Sequence, residues 1–195
     1  SLYGETNEQP LSETHITDYP LSPYAASKKA SEAICYTYHH LYNIDISIPR
    51  YFTVYGPAGR PDMAVFRFIQ SISEGVPITI FGDGKQTRDF TYVDDIAKGT
   101  VLSLKKLGYQ VINLGSDKAV SVNSCISLIE DHLEKPAARK YFPTHPADVR
   151  NTWADITKAN ELLKWKPETN LNKGIEETVR WYVENQSWAR TIAIN

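Results

Sequence analysis

The chain alternates short apolar runs with segments whose apolar residues recur at helical spacing. The runs are rich in β-branched and aromatic residues and predict buried strands at 44–52, 76–81, 88–93 and 111–114, with 139–143 as a further candidate. The helical spacing predicts helices at 23–42, 62–75, 94–107, 122–133, 153–165 and 171–186. Strands and helices that alternate in this way predict an α/β fold.

Local signals mark the ends of several predicted helices. Ser22 can cap the first helix, and Pro23 suits its first position. Asp62 and Ser121 can cap two later helices, and Gly75 follows one of them. The first helix also carries a stripe of small and apolar side chains, which predicts close packing against another helix; the stripe consists of Ala26, Ala30, Ala33, Ile34, Thr37 and Leu41.

Composition narrows the class of protein. A hydrophobic fraction of 42% and a charged fraction of 23% are typical of a globular protein, and a net charge of -2 gives no basic field for nucleic acid. No apolar run approaches the roughly 20 residues that span a bilayer. Two cysteines, Cys35 and Cys125, are too few for a disulfide framework or a zinc site, so we expect a reducing, cytoplasmic location. The histidines lack ligand spacing, so no metal is assigned.

Residues 49–63 are the stretch around which the chain is organised. They read as the end of a buried strand, a loop rich in Gly and Pro, and the start of a helix. An open α/β sheet places its ligand crevice beyond the carboxyl ends of its strands, which is where such a loop lies. The Thr53 hydroxyl and the Arg60 guanidinium are groups suited to a sugar carboxylate or a phosphate.

Tyr24 and Lys28 are four residues apart and therefore share one face of the first helix. A buried ammonium beside a phenol favours the phenolate, which can act as a general base on a sugar hydroxyl. Taken alone, the pair is more simply explained as a surface tyrosine stacked on a lysine stem. Its place in the first turns of a capped helix, close to a sheet edge, favours the catalytic interpretation.

Several segments, in the same order, resemble motifs of the extended short-chain dehydrogenase/reductases. Residues 22–28 (Ser-Pro-Tyr-Ala-Ala-Ser-Lys) are similar to the YxxxK active-site helix, and residues 2–4 are similar to the end of the strand before it. Residues 88–95 resemble the substrate-domain motif of that family, and its C-terminal pattern is matched by 155–159 together with Trp165, Pro167, Trp181 and Tyr182. The resemblance covers essentially the whole chain. It implies an NAD-dependent nucleotide-sugar epimerase or dehydratase.

The resemblance also assigns roles to residues in the first part of the chain. It implies that Tyr24 and Lys28 are catalytic, and that both contact NAD together with Tyr51. Residues 50–63 most resemble UDP-glucuronate 4-epimerases, because relatives that act on other sugars commonly carry Asn where Thr53 stands. A substrate carboxylate needs hydrogen-bond donors, and Thr53 and Arg60 supply them. The simpler alternatives are that Thr53 is an ordinary strand residue and that Arg60 is a solvated loop charge.

Further substrate contacts follow from the same resemblance. It implies that Phe81 packs on uracil, Arg88 binds the diphosphate, Asp148 lies near the ribose and diphosphate, and Met63 and Ala64 offer backbone contacts. Phe81 is otherwise a core residue, and Arg88 is otherwise a partner of a nearby aspartate. Some relatives carry Arg just upstream of Asp148, where this chain has His145.

The fold that the resemblance implies is the rear part of a Rossmann-like parallel sheet plus the smaller α/β substrate-binding domain. Residues 1–60 are expected in the first part, to which 88–115 return, and 61–195 mainly in the nucleotide-sugar-binding domain. The Gly-rich NAD-binding segment of the family is absent from the sequence. We therefore expect a downstream piece of a longer, homodimeric enzyme that is inactive alone. UDP-glucose epimerisation, another epimerase or dehydratase activity, and a non-catalytic UDP-sugar-binding role remain alternatives.

Overall fold

The computed structural model describes residues 1–5, 8–144 and 148–194. Its helices are α1 (Pro23–Tyr42), α2 (Ala64–Ser73), α3 (Val93–Leu102), α4 (Val122–Leu133), α5 (Thr157–Leu163), α6 (Leu171–Glu184) and α7 (Gln186–Ala189). Its strands are β1 (Ile46–Tyr51), β2 (Thr53–Tyr55), β3 (Ile78–Phe81), β4 (Thr87–Arg88), β5 (Phe90–Tyr92), β6 (Tyr109–Leu114), β7 (Val120–Ser121) and β8 (Arg139–Phe142).

Most strand pairs are parallel, which confirms the α/β prediction. Strand β1 pairs with β6, β2 with β5, and β3 with β8, all in parallel, whereas β4 and β7 are antiparallel. The strand predicted at 44–52 ends earlier and is followed by β2, because the chain changes partner at this point. The Phe52 amide donates to Leu114 O at 3.1 Å, and the next amide, that of Thr53, donates to Asp89 O at 2.9 Å.

The buried apolar side chains form two clusters. The larger cluster joins α2, α4 and α6 to β3 and β5, and Ile69, Ile126 and Ile175 are among its most deeply buried members. The smaller cluster joins β6, α3 and α5 around Ile112, Leu114 and Trp165. Strand β2 lies between them, since Val54 packs against the smaller cluster and Tyr55 belongs to the larger one. The division between residues 60 and 61 stays a prediction.

Two predicted helices are shorter than expected by four or more residues at one end. Helix α3 ends at Leu102 rather than 107, and the Ser103 hydroxyl donates to Gly99 O at 2.8 Å. The helix predicted from 153 begins only at Thr157. The preceding backbone is taken up by Leu11, whose amide donates to Trp153 O at 2.7 Å and whose carbonyl accepts from the Asp155 amide at 2.9 Å.

The predicted caps of α1 and α4 are confirmed, and the cap of α2 is wrong. Ser22 and Ser121 accept from backbone amides three residues on. Helix α2 instead has Met63 at its N-cap without a side-chain cap, because Asp62 is bonded to Arg60. The small-residue stripe of α1, from Ala26 to Leu41, is exposed in the part of the chain that the structure describes. None of the described helices combines the length and apolar character needed to cross a membrane.

Alkaline pH is expected to destabilise the fold through Cys125 in the larger cluster. Burial raises the pKa of the Cys125 thiol to about 12. The folded chain therefore holds this proton more tightly than the unfolded chain, so stability is unaffected below about pH 9 and falls as pH rises toward 12. This group alone contributes a slope of about 1.4 kcal/mol per pH unit in that window. Urea unfolding of the wild type and of Cys125→Ala between about pH 8 and 11 measures the slope. Equal slopes would contradict the assignment.

Candidate active site

The Tyr24 and Lys28 side chains project together from the first turns of α1. The Ser22 hydroxyl accepts from the Ala25 amide at 3.1 Å and fixes the start of the helix. Lys28 Nζ lies 5.5 Å from the centre of the Tyr24 ring, which is the stacked arrangement. Both side chains are exposed, Tyr24 by 61%, rather than buried as expected. The described residues leave this face of α1 open, so the pair is accessible to ligands.

The loop after β2 forms a cleft that gathers four of the predicted substrate-binding residues. Thr53, Arg60, Met63 and Ala64 all line it, and part of it is open to solvent. The loop can pass close to α3 only because residue 56 is glycine. A Cβ at Gly56 would lie 2.4 Å from Val93 Cγ1. The cleft brings together the Thr53 hydroxyl of β2, the Arg60 guanidinium and the N-terminus of α2.

Arg60 forms an exposed ion pair with Asp62 at the mouth of the cleft. Its Nε and Nη2 atoms donate to the two carboxylate oxygens at 3.1 and 2.5 Å. These hydrogen bonds hold the pKa of Arg60 above its usual range, with a weaker contribution from the nearby Tyr24 hydroxyl. The same pair lowers the pKa of Asp62.

Arg88 and Asp148, both predicted to contact the substrate, are bonded to each other. Arg88 Nη2 donates to Asp148 Oδ1 at 2.6 Å, and Nη1 donates to Arg150 O at 3.1 Å. The alternative interpretation of Arg88, an ion pair with an aspartate, therefore also fits the structure. Asp148 keeps 42% of its side chain exposed, so the pair borders solvent. His145 lies outside the described residues.

Phe81 and Tyr51 are exposed aromatic residues at the carboxyl ends of two different strands. Phe81 ends β3, is 43% exposed, and lies 6.2 Å between ring centres from Phe142 on β8, so it is no core residue. Tyr51 ends β1, and its hydroxyl lies 3.0 Å from the Thr100 hydroxyl on α3. Sequence reasoning missed two residues. One is Phe142, which lies beside Phe81, and the other is Asp62, which pairs with Arg60. The spacing of Asp62 two residues after Arg60 was the available signal.

Comparison with known proteins then identifies the family. Residues 1–178 match the sequence profile of the family described as GDP-mannose 4,6 dehydratase. The chain belongs to this family. The membership confirms the resemblance to nucleotide-sugar epimerases and dehydratases that the motifs indicate. The predicted α/β fold is confirmed as well, since solved structures of such enzymes superpose on the chain.

Proteins that are similar to the chain include several epimerases. The UDP-glucuronate 4-epimerase of Thermodesulfobacterium geofontis is 56% identical over 186 residues, which are 95% of this chain and 58% of that protein. The Bacillus cereus UDP-glucuronic acid 4-epimerase, solved with UDP-glucuronic acid and NAD, is 42% identical with a TM-score of 0.90, over 95% of this chain and 59% of that one.

Another solved structure that is similar to the chain contains UDP-glucose. The UDP-glucose 4-epimerase of Thermotoga maritima, solved with UDP-glucose, is 32% identical with a TM-score of 0.89 and covers 94% of this chain and 60% of that one. The chain thus spans somewhat under two thirds of the length of these proteins.

Proposed function

We propose that the protein to which this chain belongs is an NAD-dependent 4-epimerase that interconverts UDP-glucuronate and UDP-galacturonate. The observation that carries the proposal is the cleft in which Thr53 and Arg60 lie together at the N-terminus of α2. A hydroxyl, a guanidinium and a helix N-terminus are donors suited to a carboxylate and a diphosphate. The 56% identity with a UDP-glucuronate 4-epimerase supports it.

In the proposed mechanism Tyr24, as the phenolate, takes the proton from the sugar 4-hydroxyl and later returns it. Lys28 would stabilise the phenolate and would hold a ribose hydroxyl of bound NAD. Bound NAD supplies the chemistry that removes hydride from C4 and restores it on the other face. The two side chains fit this use, since they are exposed and adjacent.

The remaining proposed contacts hold the nucleotide while the flat 4-keto sugar turns over. Phe81 supplies an exposed aromatic face for uracil. Arg88 pairs with the diphosphate while Asp148 holds its guanidinium in place. The Ala64 amide lies at the start of α2, where a phosphate is favoured, whereas the Met63 amide donates to Arg60 O at 3.1 Å. We also propose a homodimer that covers the exposed stripe of α1.

Proton NMR of UDP-glucuronate incubated with NAD and the complete gene product tests the function. We expect signals of UDP-galacturonate to appear. Conversion of UDP-glucose alone would favour the UDP-glucose 4-epimerase alternative, and binding without conversion of either would favour a UDP-sugar-binding role. The 195 residues contain no Gly-rich segment for the phosphates of NAD. We therefore expect the 195-residue polypeptide by itself to form no product.

Arg60→Met is expected to lower kcat/KM for UDP-glucuronate by about 10- to 100-fold, because a hydrogen bond to a charged group is worth about 1.5–3 kcal/mol. For UDP-glucose, which lacks the carboxylate, the change is expected to stay within about 3-fold. Arg190→Met, at an exposed position after α7, is the control. Equal losses on both substrates would show that Arg60 binds the diphosphate instead.

A further inference from the structure

Helix α1 is attached to the sheet through a buried ion pair. Only two residues of α1, Ala25 and Glu32, are buried among the described residues. Arg50 on β1 donates to both Glu32 carboxylate oxygens, from Nε and from Nη2, each at 2.7 Å. Both side chains are 11% exposed. The middle of α1 is therefore held by this ion pair, together with the Tyr109 hydroxyl, which donates to Glu32 O at 3.1 Å, and the edge-on contact of Tyr36 with Tyr109.

The guanidinium of Arg50 is itself fixed by the rest of the sheet. Its Nη1 donates to Tyr3 Oη at 2.9 Å, and that hydroxyl donates to Asn113 Oδ1 on β6 at 2.5 Å. The guanidinium also lies 4.9 Å from the centre of the Tyr3 ring. Burial raises the pKa of Tyr3 to about 12, so the phenol stays neutral. Burial alone would lower the pKa of Arg50, but its hydrogen bonds hold it above the usual range.

The two hydrogen bonds from Arg50 to the Glu32 carboxylate fix how far α1 is rotated about its own axis. Tyr24, Lys28 and Glu32 are spaced by four residues and lie along one stripe of α1. A tyrosine hydroxyl stands roughly 9 Å from a helix axis, so a rotation of about 10° would move it by about 1.5 Å. Displacements of about 1 Å can cost about 100-fold in rate.

We propose that the Glu32–Arg50 pair is a positioning element that sets the rotation of α1 and so presents Tyr24 and Lys28 beside the carboxyl end of β1. Arg50 lies three residues before Thr53, so the same pair ties the catalytic helix to the strand that leads into the substrate cleft. A buried ion pair is weak evidence for stability but supplies a defined geometry. The inference rests on the proposed function.

The test replaces the pair by apolar residues of similar size in the complete gene product. Glu32→Leu combined with Arg50→Met leaves no buried charge unpaired, so stability is expected to change little. We expect kcat for UDP-glucuronate to fall about 10- to 100-fold while KM stays within about 3-fold, because the substrate is held mainly outside α1. The control is Glu130→Leu combined with Arg139→Met, which removes an ion pair of 2.7 Å between α4 and β8. There kcat is expected to stay within about 2-fold.

Three outcomes separate the possibilities. A folded Glu32→Leu/Arg50→Met protein with wild-type kcat would overturn the positioning role, and so would an equal loss in the control. If the wild type converts no UDP-sugar, the proposed function fails. Hydrogen exchange of residues 23–34 then decides the positioning role. We expect this segment to exchange at least about 10-fold faster in the double variant than in the wild type, since the helix is held less firmly; unchanged exchange would overturn the role.

Discussion

Tyr24→Phe is expected to lower kcat for UDP-glucuronate epimerisation by at least about 10³-fold, since the variant has no hydroxyl to accept the 4-hydroxyl proton. Affinity for UDP-glucuronate is expected to change less than about 3-fold, because Thr53, Arg60 and Arg88 do not depend on the phenol. Product formation followed by proton NMR gives kcat, and calorimetric titration gives the dissociation constant.

The matched control is Tyr38→Phe on the same helix. Tyr38 is 53% exposed and its ring lies 5.6 Å from that of Tyr42. Tyr38→Phe also removes a phenol hydroxyl from α1, but at a position outside the proposed site, so kcat should stay unchanged. More than about a tenth of wild-type activity in Tyr24→Phe would remove Tyr24 from the role of general base.

Asp89→Ala is expected to lower the free energy of unfolding by on the order of 3–5 kcal/mol. The buried carboxylate accepts from the Thr91 hydroxyl at 3.0 Å, the Ser116 amide at 2.5 Å and the Ala154 amide at 3.0 Å. Burial raises the pKa of Asp89, while these bonds act to lower it. The substitution leaves donors from three separate segments without an acceptor.

Asn is the informative second variant at this position. Asp89→Asn keeps one oxygen for Thr91 and Ser116 but turns an NH₂ group toward the Ala154 amide, so we expect a loss of about 2 kcal/mol. Asp131→Ala, exposed in the last turn of α4, should change stability by less than about 0.5 kcal/mol. Urea unfolding measures all three. A loss below about 1 kcal/mol in Asp89→Ala would show that water replaces the carboxylate.

Local sequence patterns predicted the parts of the fold that local interactions determine. The Ser22 cap, the Ser121 cap and the strand at 139–143 depend on a few neighbouring residues, and all are present. The parts that were missed depend on distant partners. The sequence around Trp153 predicts a helix, but in the fold Leu11, 142 residues away, takes up the hydrogen bonds of this backbone. Asp62 reads as a cap until its carboxylate bonds to Arg60.

The candidate site divides in the same way. Thr53, Arg60, Met63 and Ala64 come together because they lie within one strand, loop and helix of 12 residues. The contact between Arg88 and Asp148 spans 60 residues, and no period or spacing predicts it. The Glu32–Arg50 pair was missed because hydrophobic patterning carries no information about which charged residues are buried together.

The bridge between Leu11 and Ala154 has a consequence for synthesis on the ribosome. The Leu11 amide donates to Trp153 O, and its carbonyl accepts from the Asp155 amide and, at 2.8 Å, from Asn113 Nδ2. At about 5–20 residues per second, Leu11 must wait on the order of ten seconds after its own translation before Trp153 and Asp155 exist. During that interval the apolar side chain of Leu11, which is 2% exposed in the folded molecule, remains available to chaperones.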